Sequence, residues 1–148
     1  MSNCFIILAA GESKRFNSNI PKPYHIYNGK PLIQHSIDKV KKYGKFNKII
    51  LVINKKHKKK FFSLKIKNVK FIIGGKTRAA SAFNALKSLK KHNIKNVLIH
   101  DAARPNFSFK LLNNLIKNLK NNKCVVPTIK TNDSVKIKRG NKIFNFKR

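Results

Sequence analysis

The stretch Asn3-Cys4-Phe5-Ile6-Ile7-Leu8-Ala9-Ala10-Gly11 decides the fold: an unbroken apolar run that stops on small residues. So short a run without polar alternation predicts a strand buried on both faces. Such strands belong to parallel sheets covered by helices. Working outward, residues 11–30 carry Gly, Ser, Asn and Pro and predict a loop. Pro31 opens a helix, the place where its missing N–H costs least. Ile33, Ile37 and Val40 share one face of that helix, and Gly44 is its stop. Residues 48–53 form a second buried strand and 54–63 a basic segment with a short helix. Residues 69–73 are a third strand, ended by Gly74-Gly75. Thr77 caps a helix to about residue 91, with Ala79, Phe83, Leu86 and Leu89 facing inward. Residues 96–100 are a fourth strand. Ser108 caps the next helix, whose stripe is Leu111, Leu112, Leu115, Ile116 and Leu119. Residues 124–127 are a fifth strand. Residues 134–138 and 142–146 alternate around Arg139-Gly140-Asn141, which predicts a β-hairpin. The fold class is therefore α/β: a Rossmann-like, mostly parallel sheet with helices on both faces, plus a C-terminal β-hairpin arm. With no repeat and no low-complexity linker, residues 1–148 make one domain, of which 134–148 are the arm.

The chain has 148 residues, the size of one domain. Its longest apolar run is far shorter than the ~20 residues of a membrane span. The absence of a basic lead-in argues against a signal peptide. Two cysteines, Cys4 and Cys124, have neither metal spacing nor a disulfide framework, which fits a reducing cytoplasm. Lys and Arg number 35 against 4 Asp and Glu, a formal net charge of +31. A field of that size attracts any polyanion. Only five of the basic residues are Arg, 19 residues are Asn, and the lysines spread over the whole chain, so an A/T-rich coding sequence accounts for most of the charge. A basic nucleic-acid-binding module and an inactive fragment stand as the alternatives to an enzyme.

The scarce residues carry more information. Glu12, Asp101 and Asp133 and three of the arginines, Arg15, Arg78 and Arg104, fall in loop-like segments after apolar runs. Arginine presents a rigid two-pronged fork that lysine lacks, so its retention in a lysine-rich chain points to a geometric need. In open parallel sheets ligands bind beyond the carboxyl ends of the strands. Three unusual segments lie there: 8–16 with Pro21-Lys22-Pro23-Tyr24, 74–81, and 100–105. Ala9, Ala10 and Gly11 let backbone N–H groups approach phosphate closely, while Lys14, Arg15 and Lys22 add charge. The alternative is a tight turn with solvated lysines. Asp101 can hold Mg²⁺ on a nucleotide, because Mg²⁺ needs only one or two carboxylates; alternatively it caps a helix or pairs with Arg104. His25, His35, His57 and His92 lack ligand partners, and His100 either packs or orients the loop beside Asp101. Lys55–Lys60 reads as a solvated helix face rather than a nucleic-acid patch.

Six blocks in order resemble the 2-C-methyl-D-erythritol 4-phosphate cytidylyltransferase family. They are Leu8-Ala9-Ala10-Gly11 with Arg15-Phe16; Pro21-Lys22-Pro23-Tyr24; Gly29-Lys30-Pro31-Leu32-Ile33 with His35-Ser36-Ile37; Gly74-Gly75 with Thr77-Arg78 and Ser81; His100-Asp101-Ala102-Ala103-Arg104-Pro105; and Asp133-Ser134-Val135-Lys136. The related ribitol 5-phosphate cytidylyltransferases fit Ala9-Ala10-Gly11 and Asp101–Arg104 less well. The resemblance implies transfer of CMP from CTP to a sugar-alcohol phosphate with release of pyrophosphate, in the non-mevalonate route to isoprenoids. It implies catalytic Arg15 and Lys22, and nucleotide binding by Ala9, Ala10, Gly11, Gly75, Arg78 and Ser81. Arg104, Ser134 and Arg148 would bind the sugar phosphate and Asp101 would hold Mg²⁺. A homodimer through the C-terminal arm is implied, with no membrane and no specific nucleic acid as partner. Departures are Ser13 in place of a second glycine, Ser134 in place of Thr, and two extra residues before Asp133. Family members continue beyond residue 148, so the domain is expected to be incomplete at its C-terminus.

Overall fold

The computed structural model describes residues 2–13, 18, 20–130 and 136–145. Strands β1 (Asn3–Ala9), β4 (Lys48–Ile53), β5 (Lys70–Ile73) and β6 (Asn96–Asp101) form a parallel sheet in the order β5-β4-β1-β6. Between β1 and β4 come a two-residue ribbon, β2 (Ile26–Tyr27) with β3 (Lys30–Pro31), and helix α1 (Leu32–Tyr43). Helix α2 (Lys58–Ser63) follows β4, α3 (Arg78–Lys87) follows β5 and α4 (Phe109–Asn118) follows β6.

Alternation along β1 creates two cores. Phe5, Ile7 and Ala9 pack with Ile33, Ile37 and Val40 of α1, Phe61 of α2 and Leu112 of α4. Cys4 and Ile6 face the other way, onto Ala85 of α3 and Leu89 just past its end. Burial pushes the Cys4 thiol up to about 11, so it remains a protonated packing group. The pairing register aligns Ala9 with Ile53, Ile53 with Ile73, and Leu8 with Asp101. The carboxyl ends of all four strands thus finish on one edge, and every loop expected to carry chemistry leaves from that edge.

Several boundaries match expectation because their chemistry is local. Gly44 ends α1 at φ +74, Thr77 Oγ1 accepts from the Ala80 amide, and Ser108 Oγ accepts from the Leu111 amide. Strands β7 (Lys136–Arg139) and β8 (Lys142–Asn145) form the hairpin, with Gly140 at φ +57 in its two-residue turn.

Three expectations need correction. Residues 124–127 form no strand: they pair with nothing among the described residues, and Val126 is 71% exposed. An apolar run becomes a strand only where it meets a ladder, and Pro127 removes one donor. Pro31 is the residue before α1, extended at ψ 143, rather than its first turn. Helix α3 ends at Lys87 and buries Ser81 and Ala85, leaving Phe83 and Leu86 exposed. The small-residue row faces inward because the helix comes too close to the sheet for phenylalanine. Among the described residues no helix is long and apolar enough to cross a membrane.

Candidate functional site

A cleft of about 870 Å³ opens at the carboxyl ends of the strands. Its floor is Leu8, Ala9 and Ala10 at the end of β1, and its walls come from three loops. Gly11, Glu12 and Ser13 form the first. Ser13 has φ +53, the left-handed region that glycine occupies without strain. Ser13 therefore holds a backbone shape that glycine adopts more readily. Its Oγ accepts from the Lys22 amide at 3.1 Å, which ties the first loop to the segment Lys22–Tyr24. Pro23 and Tyr24 are buried, so Lys22 stands on an anchored turn at the cleft rim. Asn54, just past β4, donates to the Ala10 carbonyl at 3.1 Å and braces the same loop.

The second wall is the β5–α3 junction. A Cβ on Gly74 would lie 2.4 Å from the Ala10 Cβ and 2.8 Å from the Ser81 Oγ. On Gly75 it would lie 2.5 Å from the Ala80 Cβ. Both glycines are therefore fixed by close approach. Ser81 Oγ accepts from the Gly75 amide at 3.1 Å, so the buried hydroxyl holds the loop shut from beneath. Arg78, in the first turn of α3, reaches across the cleft.

The third wall is the loop after β6. Arg78 donates through Nε and Nη2 to Asp101 Oδ1, both at 3.2 Å, and Arg104 Nε lies 3.2 Å from Oδ2. The pairing of Asp101 with Arg104 anticipated from sequence is present, and Arg78 joins it. The His100 ring meets Phe107 edge to face, with centroids 4.7 Å apart, and hydrogen-bonds the Arg104 carbonyl at 2.8 Å. Burial holds the His100 pKa below its ordinary value. Both the packing role and the loop-orienting role of His100 are realised. The glutamate of the first loop, Glu12, is 3.4 Å from Lys56 Nζ.

Among the described residues no three His, Cys, Asp or Glu side chains gather. The described residues alone therefore offer no ready-made metal cage. One exposed-edge carboxylate amid cations suits Mg²⁺, which takes one or two carboxylates and completes its shell from phosphate and water. Asp101, held by Arg78 and Arg104 at the cleft edge, fits that donor set.

Nine residues expected from sequence line this one cleft: Ala9, Ala10, Gly11, Lys22, Gly75, Arg78, Ser81, Asp101 and Arg104. Arg15, Ser134 and Arg148 lie outside the described residues. Sequence reasoning missed Asn54 as a wall residue and singled out Glu12 in the first loop without giving it a role. Asn54 was legible as the first polar residue past an apolar strand, but the lysine run behind it masked the signal.

A parallel α/β sheet whose strand ends meet in a cation-lined cleft defines a protein of the Rossmann-like class, with its crevice where such sheets bind ligands. Comparison with known proteins narrows this. The family model for 2-C-methyl-D-erythritol 4-phosphate cytidylyltransferase (IspD) matches residues 3–145, and the chain belongs to that family. It is 66% identical over 148 residues to the bifunctional enzyme IspD/IspF of Pelagibacter ubique, covering all of this chain and 40% of that one. It is 38% identical over 138 residues to the Clostridioides difficile cytidylyltransferase, covering 89% of this chain and 57% of that one. The structure of the bifunctional IspDF from Campylobacter jejuni superposes with TM-score 0.81 at 29% identity, covering 97% of this chain and 37% of that one. The Anaerococcus prevotii 4-diphosphocytidyl-2C-methyl-D-erythritol synthase superposes with TM-score 0.79 at 30% identity, covering 94% and 60%. The chain thus spans 40% and 57% of the length of these two curated relatives.

Proposed function

We propose that this chain supplies the CTP-facing part of a cytidylyltransferase that makes a CDP-alcohol from CTP and 2-C-methyl-D-erythritol 4-phosphate. The convergence of nine sequence-selected residues on one cleft carries this reading. Two polyanions must meet for the reaction, and the protein's task is to position them and neutralise charge. The Ala9-Ala10-Gly11 backbone approaches the triphosphate. Lys22, with Arg15, stabilises the crowded α-phosphate as the acceptor phosphate oxygen attacks in line and pyrophosphate leaves. Gly75 and Ser81 form the nucleoside wall, and Arg78 moves from Asp101 to phosphate. Arg104, Ser134 and Arg148 hold the acceptor phosphate. Asp101 is the ligand for Mg²⁺, which when bound offsets negative charge on the phosphates. Residues 1–148 act as one nucleotidyltransferase-type domain in the cytoplasm, and the arm at 134–148 joins two copies.

Incubation with CTP, Mg²⁺ and methylerythritol phosphate, followed by pyrophosphate release, tests the whole reading. Ribitol 5-phosphate in a parallel reaction tests the acceptor. Calorimetric titration with CTP and Mg²⁺ tests the nucleotide half alone. The account expects saturable CTP binding that weakens strongly in Lys22→Ala. No binding by the wild-type chain, or equal binding by the variant, counts against it.

A further inference from the structure

The block Gly29-Lys30-Pro31-Leu32-Ile33, with His35-Ser36-Ile37, is prominent in the sequence, yet none of these residues lines the cleft. Part of it builds local structure. His35 Nε2 hydrogen-bonds the Tyr27 carbonyl at 2.6 Å and its ring lies against Tyr27, holding the β2–β3 ribbon. Ser36 does something different. It is fully buried in α1, and its hydroxyl donates to the carbonyl of Ala102, 66 residues away, at 3.0 Å. Ala102 is 1% exposed, and its own N–H donates to the Leu8 carbonyl at 3.0 Å. The backbone of Ala102, the residue following Asp101, is therefore gripped on its N–H by β1 and on its C=O by α1.

Two further bonds continue the grip. His100 Nε2 engages the Arg104 carbonyl at 2.8 Å, and Lys39 Nζ, one helical turn past Ser36, donates to the Pro105 carbonyl at 3.1 Å. Three side chains thus hold three carbonyls of the loop that follows β6. That loop presents Asp101 and Arg104 to the cleft. A buried carbonyl accepts no substitute from solvent when its donor is removed.

We propose that Ser36, assisted by Lys39 and His100, is a positioning residue that sets the place of Asp101 and Arg104 in the cleft. It does not line the cleft and acts through the Ala102 carbonyl. The effect on ligand rests on the nucleotide reading of the cleft; the effect on the loop does not.

The test uses the full chain and three variants, Ser36→Ala, Ser36→Thr and Lys39→Ala. Amide hydrogen exchange is read at Ala102 and Arg104 against Ile6 and Ile50 in the sheet, and CTP affinity is read with and without Mg²⁺. In Ser36→Ala, exchange at the two loop amides should accelerate about tenfold more than at the sheet amides, the worth of one hydrogen bond to a buried carbonyl. The Mg²⁺-dependent gain in CTP affinity should fall by a similar factor, while Mg²⁺-free CTP affinity stays put. Ser36→Thr, which keeps the hydroxyl, should restore both. Lys39→Ala, on the partly exposed side, should loosen the loop alone and less strongly, and it serves if Ser36→Ala does not fold. Loop and sheet amides accelerating together in Ser36→Ala, or no change at the loop, overturns the proposal. Loop acceleration in Ser36→Ala, together with a wild-type chain that binds no CTP, would sustain the positioning role and reject the nucleotide reading.

Discussion

Substituting Gly74 by alanine tests whether the cleft depends on close packing of α3 against β1. The new Cβ would stand 2.4 Å from the Ala10 Cβ and 2.8 Å from the Ser81 Oγ, with Val52 Cγ1 at 3.3 Å. Ordinary contact begins at 3.4 Å, so the β5–α3 junction must retreat from Ala10 by about 1.0 Å. Overpacking of this kind costs about 1–3 kcal/mol. For a domain of this length that lowers the melting temperature by roughly 2–12 °C. Ala10 and the Gly75–Ser81 bond are both part of the cleft, and a shift of about 1 Å in positioned groups can cost on the order of 100-fold. Gly11→Ala is the control. Nothing lies within 4 Å of its ideal Cβ and its φ is not in the left-handed region. That variant should keep or gain stability, by about 0.4–1 kcal/mol, through the unfolded chain. It should still weaken CTP if, as proposed, the Gly11 backbone approaches the triphosphate. Thermal unfolding and calorimetric CTP titration on both variants read the two effects separately. A Gly74→Ala protein that melts and binds CTP like the parent would show that α3 can withdraw without consequence, and the packing account of the cleft would be wrong.

Further outcomes follow from the same geometry. Asp101→Asn removes the charge from two half-exposed ion pairs with Arg78 and Arg104. Since such pairs contribute about 0–1 kcal/mol each, the variant should fold with nearly parental stability and lose only the Mg²⁺-dependent gain in CTP affinity; unfolding of the variant would make Asp101 a structural residue. Ser13→Gly relieves a φ of +53 but forfeits the bond to the Lys22 amide, so urea unfolding should find it close to wild type, whereas Ser13→Ala keeps the strain and loses the bond, by about 1 kcal/mol. Burial lowers the His100 pKa, so the unfolded chain takes up a proton that the folded one refuses. His100 therefore favours the fold fully above pH 6.5, and that contribution declines as pH falls from 6.5 toward its lowered value; urea unfolding across this window should show a shallower decline in His100→Gln.

How much was legible depended on the range of the interaction. The strand Asn3–Ala9 and the caps Thr77 and Ser108 were readable because apolar continuity and a side-chain oxygen before a helix are local signals. The cleft was readable because scarce arginines and an aspartate sat where parallel strands end. Phe83 and Leu86 misled because helical spacing allows two apolar rows, and only the nearness of Gly74 and Ala10 selects the small one. Residues 124–127 misled because a strand needs a neighbour, and pairing is not written in the run itself. The bond from Ser36 to Ala102 crosses 66 residues and has no trace in either segment alone.

The most direct measurement is a titration of the ¹⁵N-labelled chain with CTP and Mg²⁺, followed by amide shift mapping. If the strand-end cleft is the nucleotide site, the largest shifts will fall on Ala9, Ala10, Gly11, Gly75, Arg78 and Asp101, and saturate together. Shifts confined to the lysine-rich segment 55–60 or to the hairpin, fading with added salt, would contradict it and leave a non-specific polycation in its place.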